Sequence, residues 1–267
     1  MNHFPGGLPR FFSEGIPMDL KDQVADYWDR RSSGFSEAVK DEIRNGANPS
    51  RDEIISWLGI GAGSKVLDIG CGPGYFEMLL GGTGAEFYAI DYSREMVVKA
   101  TENAAKAGVA ADIRRMDAQR LDFPDSMFDA VVSRNVLWSL TDPESAYREM
   151  LRVMKPGARA YVADGNYYLH LHDGSYRRKL LPRPNAPDQR AGSHYKFNKD
   201  QVDFKEIEDL ALDLPASSRR RPQWDADVLA SLPCTEIRMK LRRFESVSGG
   251  SLVGSFEIFF TKEDPKA

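Results

Sequence analysis

The sequence has little cysteine and no hydrophobic run long enough to cross a membrane. Its 267 residues include two cysteines, Cys71 and Cys234, which exclude a disulfide framework and a cysteine-based metal site. A run of about 18 apolar residues is missing, and residues 1–15 lack the pattern of a signal peptide. These absences favour a location in the reducing cytoplasm.

A strong excess of charge of one sign is also missing. The chain has 36 basic and 40 acidic residues and a net charge of −4, which argues against binding a polyanion by bulk electrostatics. Hydrophobic residues make up 42% and charged residues 28%, as is usual for a globular protein. The length suits one large α/β domain, or a domain with a sizeable insertion.

The stretch Val66–Gly74 carries the main functional signal. It reads Val-Leu-Asp-Ile-Gly-Cys-Gly-Pro-Gly, a short apolar run followed by three glycines at alternate positions. The pattern predicts a buried strand, a tight glycine turn and a helix that begins at Tyr75, an arrangement that binds nucleotides. The spacing differs from the Gly-x-Gly-x-x-Gly of dinucleotide-binding proteins.

Two acidic residues lie at the ends of the first two predicted strands. Asp68 stands two residues before the first glycine, where a carboxylate would repel a pyrophosphate and suit a positively charged ligand. Asp91 ends the next apolar run, 21 residues after Gly70, where a carboxylate can bind a pair of ribose hydroxyls. Together these acids predict a site for a cationic nucleoside.

Val66–Gly74 with Asp91 resembles the class I S-adenosylmethionine-dependent methyltransferases, of the small-molecule type that acts in ubiquinone and menaquinone biosynthesis. The resemblance covers residues 50–163 closely and 225–263 in outline. It implies an α/β fold with a doubly wound, seven-stranded, mostly parallel sheet of order 3-2-1-4-5-7-6 and helices on both faces. It also implies a transferase of class EC 2.1.1 with S-adenosyl-L-methionine as cofactor and S-adenosyl-L-homocysteine as product.

The chain divides into four predicted segments. Residues 1–49 form an N-terminal arm and helices over the site, and residues 50–163 form the cofactor-binding core. Residues 164–224 are an inserted lid or substrate segment after strand 5, and residues 225–267 add a helix and an antiparallel strand pair. Ser-Ser-Gly at 32–34 is expected to divide the first helical region in two. The aromatic residues of the arm suggest packing on the domain or on a second subunit in a homodimer.

The resemblance implies a set of cofactor-binding residues. Asp117 would accept a hydrogen bond from the adenine amino group, with a solvated turn aspartate as the alternative. Tyr27 and Trp28 would cover the cofactor, or else serve as core aromatic residues. The full set is Tyr27, Trp28, Asp68, Gly70, Cys71, Gly72, Gly74, Asp91, Tyr92, Met96, Met116, Asp117, Ala118, Ser133, Arg134 and Asn135.

Candidates for the methyl-acceptor side lie after the fourth strand and in the insertion. The candidate substrate residues are Trp138, Tyr167, Tyr168, Tyr195, Arg177 and Arg178. The candidate general bases are His170, His172 and His194, since histidine accepts a proton near neutral pH.

We expect no metal, although the His-x-His spacing leaves a metal site open. The basic runs at 177–179 and 219–221 suit a clamp for an anionic acceptor or a solvated surface.

These residues favour methyl transfer to an oxygen, nitrogen, sulfur or carbon of a small-molecule acceptor. In one interpretation of the basic runs, this acceptor is anionic. Two alternatives stay open: an RNA or protein methyltransferase that uses the basic insertion, and a non-catalytic protein that binds S-adenosylmethionine. The Asn-Pro-Pro-Tyr or Asp-Pro-Pro-Tyr element of many nucleobase-directed members is missing where Ser133-Arg134-Asn135 stands. This absence argues against nucleic acid as a partner, and the lack of a long apolar run argues against a membrane.

Overall fold

A seven-stranded sheet forms the centre of the computed structural model, which describes residues 18–46, 51–180, 197–198, 200, 202–245 and 250–266. The strands are β1 (Lys65–Ile69), β2 (Glu86–Asp91), β3 (Ala111–Arg115), β4 (Phe128–Arg134), β5 (Met154–Gly165), β6 (Cys234–Glu245) and β7 (Ser251–Lys262). Their order is β3-β2-β1-β4-β5-β7-β6, with β1 to β5 parallel and β7 antiparallel to both of its neighbours. The predicted fold class and strand order are confirmed.

Helices cover both faces of the sheet. They are α1 (Leu20–Arg44), α2 (Arg51–Leu58), α3 (Tyr75–Leu80), α4 (Arg94–Lys106), α5 (Pro143–Val153), α6 (Leu169–His172), α7 (Gly174–Leu180), α8 (Phe204–Ala211) and α9 (Gln223–Ala230). Successive residues of β4 point to opposite faces, so that Val131 packs in one hydrophobic cluster and Val132 in the other. The parallel strands are therefore buried on both sides, as their apolar sequences predict.

Strand β1 lies between β2 and β4, which brings the predicted acids to one edge of the sheet. Leu67 is paired with Tyr88 of β2 on one side and with Val131 of β4 on the other. Because the three strands are parallel, their carboxyl ends meet at this edge, where ligands bind in open α/β sheets. The first two strands are thus neighbours, as the interpretation of Asp68 and Asp91 requires.

The predicted break at residues 32–34 is wrong, because α1 is one continuous helix of 25 residues. Ser32 and Gly34 are buried, and the Gly34 amide donates to the Asp200 carboxylate at 2.7 Å. A side chain at Gly34 would collide with the Phe197 carbonyl and with Arg31. The small residues therefore let other chain segments approach α1 closely, and this packing outweighs their low helix propensity.

Several predictions concern residues outside the part of the chain that the structure describes. They include the aromatic arm with its homodimer contact, and His194 and Tyr195 of the insertion. The described parts of the insertion form α6, α7, α8 and a short 3₁₀ helix at Pro215–Ser218. Within the described ranges, the helices are too short or too polar for a membrane span.

Candidate functional site

A cavity of about 1000 Å³ opens at the carboxyl edge of the sheet, beneath α1. One part is lined by the glycine loop and by residues that follow β2 and β3, and the other by aromatic residues that follow β4 and β5. The volume is that of a site for small ligands. The cavity brings together most of the residues that the sequence predicts for cofactor and acceptor.

The glycine loop binds to the end of β2 through its backbone. The amides of Gly70 and Cys71 both donate to the Ile90 carbonyl, at 2.8 and 2.9 Å. Gly72 has a φ of 52° and lines the cavity, so its backbone stays accessible to a ligand. Gly74, with a φ of 89°, begins α3 and packs against Ala100 instead of lining the cavity.

Asp91 is fixed by two backbone amides and faces the cavity. Its Oδ2 accepts from the Gly72 amide and its Oδ1 from the Ser93 amide, both at 2.9 Å. Burial raises the pKa of Asp91 to about 6, although the hydrogen bonds from Ser93 and Gly72 act in the opposite direction. A half-buried acceptor held in this way suits the ribose hydroxyl pair, which donates two hydrogen bonds.

Asp68 is 1% exposed, and neither of its carboxylate oxygens has a hydrogen-bond partner among the described residues. Burial, followed by the charges of Glu77 and Asp91, raises its pKa well above the usual range. An orphaned carboxylate that lines a cavity fits a ligand with a cationic group. With the ribose acceptor nearby, these residues fit S-adenosylmethionine, whose amino-acid part carries an ammonium.

The predicted adenine side lies after β3. Met116, Asp117 and Ala118 line the cavity, as do Tyr92 and Met96. The Asp117 carboxylate accepts from Lys21 Nζ at 3.0 Å and from the Gln119 amide at 2.9 Å. Burial raises its pKa, but these hydrogen bonds outweigh burial and leave the pKa below its usual value. The adenine contact stays a prediction, and sequence reasoning missed Lys21 of α1, which lies 96 residues away.

The aromatic residues of α1 line the cavity and also belong to a core cluster. Tyr27 is 2% exposed, and its ring meets Trp28 edge-on at 5.3 Å. Trp28 in turn contacts Phe35 at 5.2 Å and Trp138 at 6.4 Å between ring centroids. Both interpretations of Tyr27 and Trp28 are compatible with this position.

The residues after β4 have three different environments. Ser133 is fully buried and donates to the Ile69 carbonyl at 2.9 Å, so it holds β1 and does not line the cavity. Arg134 donates to both oxygens of Glu42 in α1, at 2.7 and 2.9 Å. Asn135 has a φ of 60°, and its Oδ1 accepts from the Tyr167 hydroxyl at 2.6 Å. This left-handed residue connects the two parts of the cavity.

The acceptor part of the cavity has an aromatic wall. The Trp138 ring lies 5.9 Å from Tyr167 and 5.1 Å from Tyr168, between centroids. His170 lines the cavity, with Nε2 3.6 Å from Glu208, and its Nδ1 is buried without a hydrogen-bond partner among the described residues. These contacts single out His170 among the candidate bases that the structure describes.

Two other predicted acceptor residues, His172 and Arg178, lie outside the cavity. His172 is exposed on α6, because residues two apart on a helix point in different directions. Within the described part of the chain, no cluster of three or more His, Cys, Asp or Glu could hold a metal ion. Arg178 is exposed and does not line the cavity, and Arg177 lines it while donating to the carbonyls of His170 and Leu171 at 2.7 Å.

The basic run at 219–221 is neither a substrate clamp nor wholly a solvated surface. Arg221 is buried and forms ion pairs with Asp164 at 2.7 Å and with Asp225. Asp164 also accepts from the Trp138 amide at 3.0 Å, which fixes the aromatic wall to the end of β5. Arg220 is exposed and pairs with Asp173. These charges therefore stabilise the insertion.

Comparisons with known proteins agree with this geometry. Residues 67–162 match the family model described as a methyltransferase domain. The chain is 30% identical over 164 residues to the ubiquinone biosynthesis O-methyltransferase of Pseudomonas aeruginosa strain LESB58, covering 59% of this chain and 67% of that protein. Against the protein of the same name from Xanthomonas axonopodis pv. citri, identity is 31% over 142 residues, covering 51% of this chain and 59% of that protein. The chain thus spans about three fifths to two thirds of these curated relatives.

A solved structure supports the fold alone. The S-adenosylmethionine-dependent methyltransferase from Methanosarcina mazei superposes with a TM-score of 0.52 at 24% identity, over 79% of this chain and 97% of that one. At this identity the match shows that the two proteins share an architecture.

Proposed function

Because this chain belongs to the family of S-adenosylmethionine-dependent methyltransferases, we propose that it transfers a methyl group to a small-molecule acceptor. One observation carries the proposal: a single cavity joins the glycine loop and its acids to an aromatic wall that includes His170. A methyltransferase needs both parts, since methyl transfer requires the donor and the acceptor side by side.

The chain's own residues would bind and orient the cofactor, which supplies an electrophilic methyl group when bound. The Asp91 carboxylate would accept from the ribose hydroxyls, and Asp68 would face the ammonium end. Met116 and Ala118 would contact the adenine ring. Asp117 would accept a hydrogen bond from the adenine amino group once the Lys21 ammonium no longer donates to it. Phe35, whose ring edge would lie 3.6 Å from a side chain at Gly72, would shield the loop from water.

The acceptor we propose is a small molecule with a flat apolar part and a nucleophilic oxygen. The flat part suits the edge-on and tilted rings of Trp138, Tyr167 and Tyr168. The oxygen is supported by the O-methyltransferase names of the curated relatives. His170, which lines the cavity, would take the proton of the attacking hydroxyl.

An anionic acceptor has less support than the sequence suggests. Arg221 and Arg134 form ion pairs with carboxylates, and the Arg177 guanidinium donates to backbone carbonyls. An RNA substrate is disfavoured by the net charge of −4 and by the ion pairs that Arg220 and Arg221 form within the structure. We further propose a cytoplasmic protein, in keeping with its unpaired Cys71 and Cys234.

Calorimetry with S-adenosylmethionine, followed by product analysis, tests the proposal. We expect binding to the wild-type protein and release of S-adenosylhomocysteine with small phenolic acceptors. The matched acceptors that carry an amine in place of the hydroxyl should be poor substrates. Absence of cofactor binding would refute the proposed function, and binding without turnover by any acceptor would identify a non-catalytic protein. Steeply salt-dependent binding to RNA would favour the RNA alternative.

A further inference from the structure

Two buried carboxyl groups lie beneath the glycine loop, and the proposed function uses only Asp68. The second is Glu77, in the first turn of α3. Both side chains are at most 1% exposed, and their four carboxylate oxygens have no hydrogen-bond partner among the described residues. Burying an ionised carboxylate without a donor or a cation is strongly unfavourable, so this pair requires a physical explanation.

The groups around the pair add negative charge and little positive charge. Asp91 on β2 disfavours ionisation of Asp68, whereas Arg134 on β4 favours it more weakly. The Arg134 guanidinium is itself bonded to Glu42 of α1. Cys71 in the loop stays a neutral thiol, because burial and then the nearby carboxylates raise its pKa well above the usual range.

The two carboxyl groups interact with each other. The charge of Glu77 is, after burial, the largest effect that raises the pKa of Asp68. Burial raises the pKa of Glu77 itself to about 7. Two carboxylates in one buried site cannot both ionise readily, and such pairs retain a proton at a pH where either group alone would lose it.

We propose that Asp68 and Glu77 share one proton in the cofactor-free protein and release it to solvent when the ammonium group of the cofactor binds. This inference rests on the proposed function, because it requires the amino-acid end of the cofactor at Asp68. The ammonium supplies the positive charge that the pair lacks, and the proton leaves to the buffer. Glu77 does not line the cavity, so it is a positioning residue that acts through Asp68.

Proton release links cofactor affinity to pH. If one proton leaves for each ligand that binds, the affinity rises by up to about tenfold per pH unit across the titration of the pair. The Glu77→Gln variant keeps the size of the side chain but cannot share the proton. Asp68 then stands beside a neutral amide and ionises at lower pH than in the wild type, so the rise of affinity with pH should shift to lower pH, although burial and Asp91 still oppose ionisation of Asp68.

The test is calorimetry with S-adenosylhomocysteine, which keeps the ammonium group and lacks the positive sulfur. Titrations at about pH 6, 7 and 8, in buffers of different ionisation enthalpy, count the protons released. For the wild-type protein we expect release of up to about one proton and a Kd that falls about tenfold from pH 6 to pH 7. Glu77→Gln should release fewer protons than the wild type at pH 6 and 7 and should bind more tightly than the wild type at pH 6.

The matched control is Glu102→Gln, the same change on the exposed face of α4, which should behave as the wild type. Equal binding enthalpies in all buffers for the wild type would overturn the inference without any variant. If Glu77→Gln lost affinity by the same factor at every pH, Glu77 would have a structural role only. This result would also overturn the inference. Absence of wild-type binding would overturn the proposed function together with this inference.

Discussion

Asp91→Asn is expected to weaken cofactor binding strongly while leaving the fold intact. The Asp91 carboxylate accepts from the amides of Gly72 and Ser93, and Asp91 lines the cavity. Asparagine keeps one oxygen acceptor but replaces the other by an NH₂ group, which cannot accept from an amide or from a ribose hydroxyl. The variant therefore loses the charge and half of the acceptor capacity.

The magnitudes follow from burial and hydrogen bonding. A hydrogen bond to a charged acceptor contributes about 1.5–3 kcal/mol, so losing one or two from the ribose weakens affinity by about tenfold to 10⁴-fold. In the cofactor-free protein, burial raises the pKa of Asp91 from 3.8 to about 6, so ionisation in the folded state is unfavourable by about 3 kcal/mol. Removing this charge offsets the loss of one amide hydrogen bond, and the Tm should change little.

Calorimetry with S-adenosylhomocysteine and thermal unfolding between about pH 5 and 8 test both parts. The folded protein binds the Asp91 proton more tightly than the unfolded chain does. Wild-type stability relative to Asp91→Asn should therefore increase as pH falls through about 6. Asp112→Asn, at a side chain that is 40% exposed on β3, is the matched control for both measurements. An affinity within about twofold of the wild type, or a collapse of the Tm at neutral pH, would refute the reasoning.

Two further predictions concern the acceptor side and the insertion. His170→Gln should lower kcat by about 10²–10⁴-fold with unchanged cofactor affinity, whereas His172→Gln should retain activity; equal losses in steady-state assays would contradict the choice of base. Arg221→Ala should lower the free energy of unfolding in urea by about 3–5 kcal/mol, because it leaves two buried carboxylates unpaired. Arg220→Ala, at a side chain that is 73% exposed, should change it by less than about 1 kcal/mol, and similar values for both would show that burial of Arg221 is energetically unimportant.

The parts of the fold that sequence reasoning predicts well are those that short segments determine. The glycines of the loop stand where the backbone takes positive φ, and the apolar runs before them are parallel strands. The role of Asp91 is predicted from its position at the end of β2. Its hydrogen bond from the Gly72 amide supports the prediction that the glycine loop and this acid belong to one site. Strand order 3-2-1-4-5-7-6 came from family resemblance, which those local patterns identify.

The parts that sequence reasoning misses depend on contacts between distant segments. Lys21 and Asp117 are 96 residues apart, and no local pattern connects them. Residues 219–221 are three consecutive arginines, yet only Arg221 is buried with carboxylates that come from β5 and α9. The small residues at 32–34 resemble a helix break until close packing against α1 is known. Burial and charge pairing of this kind are properties of the tertiary structure.

The unbroken α1 limits how a ligand can enter and leave the cavity. At 1.5 Å per residue, its 25 residues extend about 37 Å across the mouth. Lys21 holds its first turn to Asp117, Asp29 accepts from Ser93 near the middle, and Glu42 holds its last turn to Arg134. Because α1 has no internal hinge, its central part cannot move away from the cavity while both ends stay in place. We expect that a nucleoside entering from this side requires release of one end anchor, and that salt weakens the more exposed pair, Lys21–Asp117, more than Glu42–Arg134.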